Sequence, residues 1–330
     1  MTTSSLETIT YRQAITRAMA DELADDDNVF VIGEDVGAAG GAFKTTDGLF
    51  ERFGPARVLD TPISEQAIIG TAIGAAIAGL RPIAEIMFAD FAGVCFDQIA
   101  NELAKYRYMT GGQVTLPVTI RMANGVGTGF GAQHSQPAEN WFLNIPGLKI
   151  VVPATPADAY ALLRAAVRDP NPVLYFEHKG LFNIKSEFPD EPPTGELGRA
   201  DVVRAGDDVT LVATQLMRHR AMEAAELLAV ERLSIEVIDP RTLVPFDLET
   251  IVTSVARTNR LVVVQEASPG GSWGATLISA LLQEHFESLD APPRLVAADD
   301  TPIPYARPLE ELWLPSVDRI ANATRATAAY

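Results

Sequence analysis

The sequence has a single cysteine, few histidines and a shortage of basic residues. Cys95 has no partner for a disulfide within the chain, so nothing indicates secretion. The four histidines are scattered along the chain, which argues against a zinc site. With 26 basic and 43 acidic residues, the net charge of −17 disfavours binding to nucleic acid or to an anionic membrane.

Long uncharged apolar runs are also missing. The most apolar stretch, residues 61–79, is cut off at Arg81-Pro82, before it reaches membrane-spanning length. The first fifteen residues lack the charged and apolar regions of a signal peptide. We therefore expect a cytoplasmic protein that does not bind a membrane. Its 330 residues, 47% of them hydrophobic, are enough for two domains with separate cores.

The order of elements predicts an α/β protein. Apolar strands such as residues 261–264 alternate with helices, which is typical of open, mostly parallel sheets with right-handed crossovers. A stretch rich in proline, at residues 186–198, reads as a linker. We predict two domains, at residues 1–187 and 205–330, joined by a linker at residues 188–204. Pro117, inside a predicted strand at residues 114–121, indicates an edge or irregular position.

The segment TPISEQAIIGTAIGAAIAG, residues 61–79, predicts a helix that is buried on all sides. Its isoleucines and alanines recur at helical spacings, and glycines occupy other faces, so another element can approach closely. Glu65, in the first turn, has two interpretations. It is an acid stabilised by the helix dipole, worth about 0.3–1 kcal/mol, or a carboxyl in an apolar site that exchanges a proton with a ligand.

Three further residues have both a functional and a structural interpretation. Glu34 follows a strand at residues 29–32, where ligands of parallel sheets gather, but it can equally be a solvated loop acid. Phe91 is either a core aromatic or a platform for a flat ligand. His134 follows a loop with four glycines in seven residues, without a Walker lysine or a strand–GxGxxG–helix context, and can be a surface residue.

Six segments, taken in order, resemble the beta subunit of the thiamine-diphosphate-dependent decarboxylase component of 2-oxoacid dehydrogenase complexes. They are GEDVG (33–37), TPISE (61–65), GLRPI (79–83), GAQHSQ (131–136), PGLKIVVP (146–153) and IDPRTLVPFD (238–247). The resemblance covers about residues 9–320. It implies a pyrimidine-binding domain followed by a transketolase C-terminal-like domain.

The same resemblance implies roles for particular side chains. Glu65 and His134 would be the catalytic residues: Glu65 would hydrogen-bond the pyrimidine ring nitrogen of the cofactor and favour its imino tautomer. His134 would act on the acyl group or the incoming lipoyl group. Glu34 would face the cofactor together with Glu65, and Phe91 would stack on the aminopyrimidine.

A potassium ion is a further implication of the resemblance. The matching positions are Leu116, Val118, Thr119, Ala166, Asp169 and Asn171. Only Asp169 and Asn171 offer side chains suited to a hard cation. The alternative is that the Asp169-Pro170-Asn171-Pro172 run simply makes a tight turn.

The GDG segment that this cofactor family uses to bind magnesium and diphosphate is missing from the sequence. We therefore expect a separate alpha subunit to supply that half of the site, in a two-alpha, two-beta heterotetramer that serves a lipoyl-bearing acyltransferase core. Pyruvate is the favoured 2-oxo acid, followed by acetoin and then branched-chain substrates. Alternatives are a purely structural subunit, a nucleotide-dependent oxidoreductase and a stand-alone transketolase-like enzyme.

Overall fold

The computed structural model describes residues 7–189, 191 and 193–330. Its contacts divide the chain into two compact units. The first contains the described residues up to Asn124 together with Trp141–Leu197, and the second contains Gly125–Asn140 and Gly198–Tyr330. Residues 1–6 of the predicted first domain, and Asp190 and Pro192 of the predicted linker, lie outside the described residues.

The first unit is built on a parallel sheet. Its strands are β1 (Glu7–Thr10), β2 (Val29–Gly33), β3 (Val58–Asp60), β4 (Arg81–Ile86), β5 (Thr119–Asn124), β6 (Lys149–Val151), β7 (Val173–His178) and β8 (Lys185–Phe188). Strands β6-β7-β5-β4-β2-β3 are neighbours in that order and run parallel. β1 and β8 form a separate antiparallel ribbon that sequence patterning did not predict.

Helices cover this sheet. They are α1 (Tyr11–Asp25), α2 (Leu49–Phe53), α3 (Glu65–Ile77), α4 (Tyr106–Met109) and α5 (Pro156–Arg168). The segment before and within α4 is irregular, because a π-helical stretch, Gln98–Leu103, precedes this short helix. Gly111 and Gly112, with φ of +64° and +81°, follow the end of α4.

Pro117 is not at a sheet edge. β5 begins two residues later, at Thr119, and lies in the middle of the sheet, paired with both β4 and β7. The residues just before the strand form no regular element, and the Leu116 N–H donates to Pro170 O at 3.1 Å. The proline therefore shortens the strand rather than moving it to an edge, because it stands outside the ladder, where its missing N–H is not needed.

α3 is buried on one side only within this chain, so the prediction of all-round burial was wrong. Its isoleucine and alanine stripe packs inward, whereas Gly70 and Gly74 lie on an open outer face where an added Cβ would meet no atom within 4 Å. Ile63 and Ile77, at 83% and 44% exposure, extend this apolar outer face. The small residues give α3 a smooth surface that a second element can approach closely.

The second unit has a smaller sheet, ordered β14-β13-β10-β11-β9. The strands of this unit are β9 (Asp201–Arg204), β10 (Val209–Ala213), β11 (Ile235–Asp239), β12 (Thr242–Val244), β13 (Leu261–Val264) and β14 (Arg294–Val296), of which β12 is not part of this sheet. Its helices are α6 (Gln215–Val230), α7 (Leu248–Thr258), α8 (Trp273–Glu284), α9 (Arg307–Trp313) and α10 (Val317–Ala328). β9 is antiparallel to β11 and occupies part of the predicted linker.

Segment 125–140 belongs to the second unit, although the sequence places it inside the first domain. The reason lies in its contacts. Val126 is fully buried in the core around β10, β11 and β13, and the backbone of the segment is hydrogen-bonded by acidic side chains of that unit. In the described part of the chain, no helix has the length and apolar character needed to cross a membrane.

Candidate active-site residues

Glu65 is the first residue of α3 and is only 8% exposed. The preceding Ser64 makes no side-chain cap. Glu65 is the acidic residue of the first helical turn, where the helix dipole favours a negative charge. Burial, and then the charge of Glu65, raise the pKa of the nearby Cys95 thiol to about 12. The predicted site acid therefore lies in a largely dry environment rather than on a wet helix face.

Glu34 follows β2 and lies near Glu65. Burial is the main cause that raises the pKa of the Glu34 carboxyl, and the negative charges of Glu65 and Asp35 raise it further. The Ser64 N–H donates a hydrogen bond to Glu34, which opposes this rise. The Oε1 atom of Glu34 is buried and finds no hydrogen-bond partner among the described residues. Two carboxyls, those of Glu34 and Glu65, therefore lie near the carboxyl ends of the strands of the first sheet. One oxygen of Glu34 has no hydrogen-bond partner among the described residues.

Phe91 lies in a 3₁₀ turn, Ala89–Gly93, that follows β4. Its ring meets Phe88 edge-to-face at 5.6 Å between centroids, and Phe88 in turn contacts Phe43 at 5.3 Å. Phe88 is buried, but Phe91 is only half-buried. The contact with Phe88 therefore positions the ring of Phe91, whose side chain remains partly accessible.

His134 belongs to the second unit, whereas Glu34, Glu65 and Phe91 belong to the first. It is half-buried, and its backbone N–H lies 3.4 Å from Gly131 O. The loop before it has glycines with positive φ at every second position, from Gly125 to Gly131. This backbone conformation strains any side chain other than glycine, which explains the glycine-rich pattern.

An ion cluster in the first unit was not predicted from the sequence. Arg121 on β5, only 1% exposed, donates to Glu85 on β4 and to Glu177 on β7 at 2.7 and 2.6 Å. Burial raises the pKa of Glu177 to about 7, with Arg121 opposing and Glu85 adding to the rise. Charged residues that interrupt three apolar strands were the signal that could have revealed it.

Glu85 of this ion cluster packs against the backbone next to Glu34. A Cβ added to Gly33 would come within 3.0 Å of Glu85 Cβ, and one added to Gly41 would lie 3.7 Å from Glu85 Oε1. The Thr45 hydroxyl lies 3.5 Å from the Glu85 carboxylate. The ion cluster therefore supports both ends of the loop that follows β2.

The side chains expected to bind potassium are engaged with protein groups. Asp169 pairs with Lys149 and accepts the Asn171 N–H at 2.9 Å, while Asn171 accepts from Arg107. Burial tends to raise the pKa of Asp169, but the hydrogen bonds from Lys149 and Asn171 hold this pKa below its usual value. The Thr119 hydroxyl is buried without a hydrogen-bond partner among the described residues. Among the side chains at these positions, the Thr119 hydroxyl is therefore better placed to receive a cation than Asp169 or Asn171.

The residues of the first unit fit the pyrimidine half of thiamine diphosphate. A ring nitrogen needs a buried carboxyl, a flat ring needs an aromatic face, and both groups are present in Glu65 and Phe91. The unused Glu34 oxygen offers a further acceptor. These three side-chain features come from the structure of this chain alone.

Comparison with known proteins agrees with this architecture. Residues 7–185 match the family described as "Transketolase, pyrimidine binding domain", and residues 198–320 match "Transketolase, C-terminal domain". A solved structure titled "Split gene transketolase, inactive beta4 tetramer" superposes with a TM-score of 0.80 at 26% identity, covering 97% of this chain and 98% of that chain. The predicted fold of two mostly parallel α/β domains is confirmed.

Named relatives extend the similarity over nearly the whole chain. The acetoin:2,6-dichlorophenolindophenol oxidoreductase subunit beta of Bacillus subtilis is 45% identical over 328 residues, covering 96% of each chain. The pyruvate dehydrogenase E1 component subunit beta of Rickettsia conorii is 44% identical over 322 residues, covering 98% of this chain and 99% of the relative. The chain therefore belongs to the transketolase family of thiamine-diphosphate-dependent enzymes and, within it, to the group of beta subunits whose named members come from pyruvate dehydrogenase E1 components and acetoin oxidoreductases.

Proposed function

We propose that this chain is the beta subunit of a 2-oxoacid dehydrogenase decarboxylase component, with pyruvate as the favoured substrate. It binds the aminopyrimidine half of thiamine diphosphate, takes part in decarboxylation and passes the acyl group to a lipoyl domain. The observation that carries the proposal is the buried carboxyl of Glu65 at the start of α3, beside the partly unsatisfied carboxyl of Glu34.

Each predicted residue has a distinct task in this proposal. Thiamine diphosphate, when bound, supplies the electron sink for loss of the carboxylate. Glu65 hydrogen-bonds the pyrimidine ring nitrogen and favours the imino tautomer of the cofactor, because its carboxyl is buried and meets little competing water. Phe91 orients the pyrimidine ring by stacking. His134, on its glycine-rich loop, serves the incoming lipoyl group.

An alpha subunit completes the site in this proposal. The sequence has no GDG segment for magnesium and diphosphate, so we assign those groups to the partner. The open glycine face of α3 provides a surface on which a partner chain can pack. We propose a two-alpha, two-beta assembly that docks onto a lipoyl-bearing acyltransferase core, with a potassium ion near the Thr119 hydroxyl as a structural element.

Acetoin is the second candidate substrate. Subunits named for acetoin oxidation in Bacillus subtilis and Cupriavidus necator are both 45% identical to this chain, slightly above the 42–44% of the pyruvate dehydrogenase relatives. In this proposal, residues of the alpha subunit contribute to substrate specificity, so both pyruvate and acetoin are candidate substrates. Branched-chain 2-oxo acids rank third.

The test is reconstitution of this chain with its co-purified alpha subunit. Rates are measured on pyruvate, acetoin and 3-methyl-2-oxobutanoate, with a lipoyl domain and with an artificial electron acceptor. We expect the highest specificity constant on pyruvate and no turnover by the beta chain alone. Higher specificity for acetoin would replace the favoured substrate with the second candidate. Turnover by the isolated beta chain would contradict the requirement for an alpha subunit.

A further inference from the structure

The glycine-rich loop before His134 wraps around a carboxylate of its own unit. Glu310, on α9, accepts the backbone N–H of Gly127 on Oε1 at 3.0 Å, and the N–H of Gly129 lies 3.3 Å from both of its oxygens. The glycines at alternate positions all have positive φ, and the N–H groups of two of them, Gly127 and Gly129, meet the same carboxylate. Such a backbone concavity binds anions, and here the anion is supplied by the protein.

A second carboxylate holds the start of the same loop. The Val126 N–H donates to Glu266 Oε1 at 2.6 Å, and the Val126 side chain is fully buried in the core of the second unit. At the other end of the loop, a Cβ added to Gly131 would lie 3.3 Å from the Tyr305 ring. The loop is therefore attached along its length before the chain reaches His134.

α9 is well suited to hold Glu310 still. Trp313, three residues later and on the same side of the helix, is 4% exposed and donates its indole N–H to Thr301 O at 3.0 Å. Glu310 itself is 3% exposed, so it bonds to the loop in a site with little access for competing water. Leu309 and Leu312, at 54% and 71% exposure, point the opposite way.

We propose that Glu310 and Glu266 are positioning residues that fix the glycine-rich loop and thereby place His134 for acyl transfer. The inference rests on the proposed function for the role of His134, but the anchoring of the loop does not. Neither glutamate needs to touch the substrate or the cofactor. Without these bonds the glycine-rich loop would sample many conformations. With them, the two glutamates hold it in one conformation.

The first test is amide hydrogen exchange in the intact alpha–beta complex, comparing Glu310→Gln with the wild type. The neighbouring Glu311→Gln is the matched control, because Glu311 is exposed and pairs with Arg220 instead of the loop. We expect exchange of the Gly127 and Gly129 amides to rise by about tenfold or more in the first variant, since bonds to a charged acceptor are lost. Glu266→Gln should act chiefly on the Val126 amide.

The second test separates the two halves of the reaction. Glu310→Gln should lower the rate of acylation of a lipoyl domain more than the rate with an artificial electron acceptor, whereas Glu311→Gln should lower neither. Unchanged exchange at Gly127 and Gly129 would overturn the anchoring. Increased exchange without a selective loss of acylation would overturn the positioning role.

His134→Asn separates this inference from the proposed function. If that variant keeps full acyl transfer, the assigned role of His134 fails, and with it the placement of His134 for acyl transfer. The exchange data alone then still decide whether the two glutamates anchor the loop. Unfolding curves of each variant show whether it is folded, and Glu310→Asp provides a second variant that retains the charge should Glu310→Gln fail to fold.

Discussion

The carboxylate of Glu65 lies close enough to Glu34 for its charge to raise the pKa of the Glu34 carboxyl. Burial contributes the larger part of that rise. Glu65 is the first residue of α3, and Glu34 directly follows β2, at the carboxyl end of that strand. This arrangement brings two carboxyls together where a ligand of a parallel sheet is expected.

The first prediction concerns this pair. Glu65→Gln removes a neighbouring negative charge, so the pKa of Glu34 should fall but remain above its ordinary value, because the burial persists. Titration of glutamates carrying a ¹³C-labelled carboxyl, followed by NMR on the isolated chain, measures it. Glu51→Gln, at an exposed position of α2, is the control and should leave Glu34 unchanged. A Glu34 pKa that stays the same or rises in the Glu65 variant would refute the coupling.

The second prediction is that the only thiol of the protein is unreactive when the protein is folded. Cys95 is fully buried, and burial together with Glu65 raises its pKa to about 12, so almost no thiolate is present at pH 8. A thiol reagent such as dithionitrobenzoate should label the folded chain very slowly and the unfolded chain at once. Rapid stoichiometric labelling of the native protein would show that the surroundings of Glu65 and Cys95 are open to water.

The third prediction concerns the buried ion cluster. Arg121→Met leaves Glu85 and Glu177 buried without their shared cation, and we expect the free energy of unfolding to drop by about 3–5 kcal/mol. Arg17→Met, which removes an exposed pair with Glu7, should cost about 1 kcal/mol or less. Urea unfolding of the isolated chain measures both. Equal losses in the two variants would mean that the cluster has no special role in stability.

The fourth prediction is a pH dependence of stability that Glu177 causes. The pKa of Glu177 is about 7 in the folded chain and that of an ordinary glutamate when unfolded, so the folded state binds more protons between these two values. The contribution of Glu177 to stability is therefore fully present below the lower value and is lost as the pH rises through the higher one. In Glu177→Gln the free energy of unfolding should fall less, or rise more, between about pH 4.5 and 7 than in the wild type. An identical slope in both proteins would contradict the assignment.

Local patterns predicted much of the fold, because strands and helices of this chain are specified by residues close in sequence. The strands at residues 29–32 and 261–264, which the structure has as β2 and β13, and the small-residue helix α3 follow from local apolar patterns. The resemblance to thiamine-dependent beta subunits rested on six short segments and is supported by matches over both domains.

The features that the sequence did not predict depend on partners far apart along the chain. Glu310 and Gly127 are 183 residues apart, and nothing near either residue signals the other. β9 and the β1–β8 ribbon are antiparallel additions whose pairing is likewise non-local. The glycine-rich loop is evident in the sequence, but the group that it approaches, a carboxylate of the second unit, required the structure.

The most direct test of the central claim is cofactor-dependent turnover by the reconstituted alpha–beta complex that carries Glu65→Gln. The claim predicts that the variant folds and assembles but loses nearly all decarboxylation, by about a hundredfold or more, because the proton at the pyrimidine ring nitrogen is no longer shared with a carboxylate. The control variant Glu51→Gln should retain wild-type rates. Decarboxylation by Glu65→Gln at the wild-type rate and at ordinary thiamine diphosphate concentration would contradict the claim and favour a purely structural subunit.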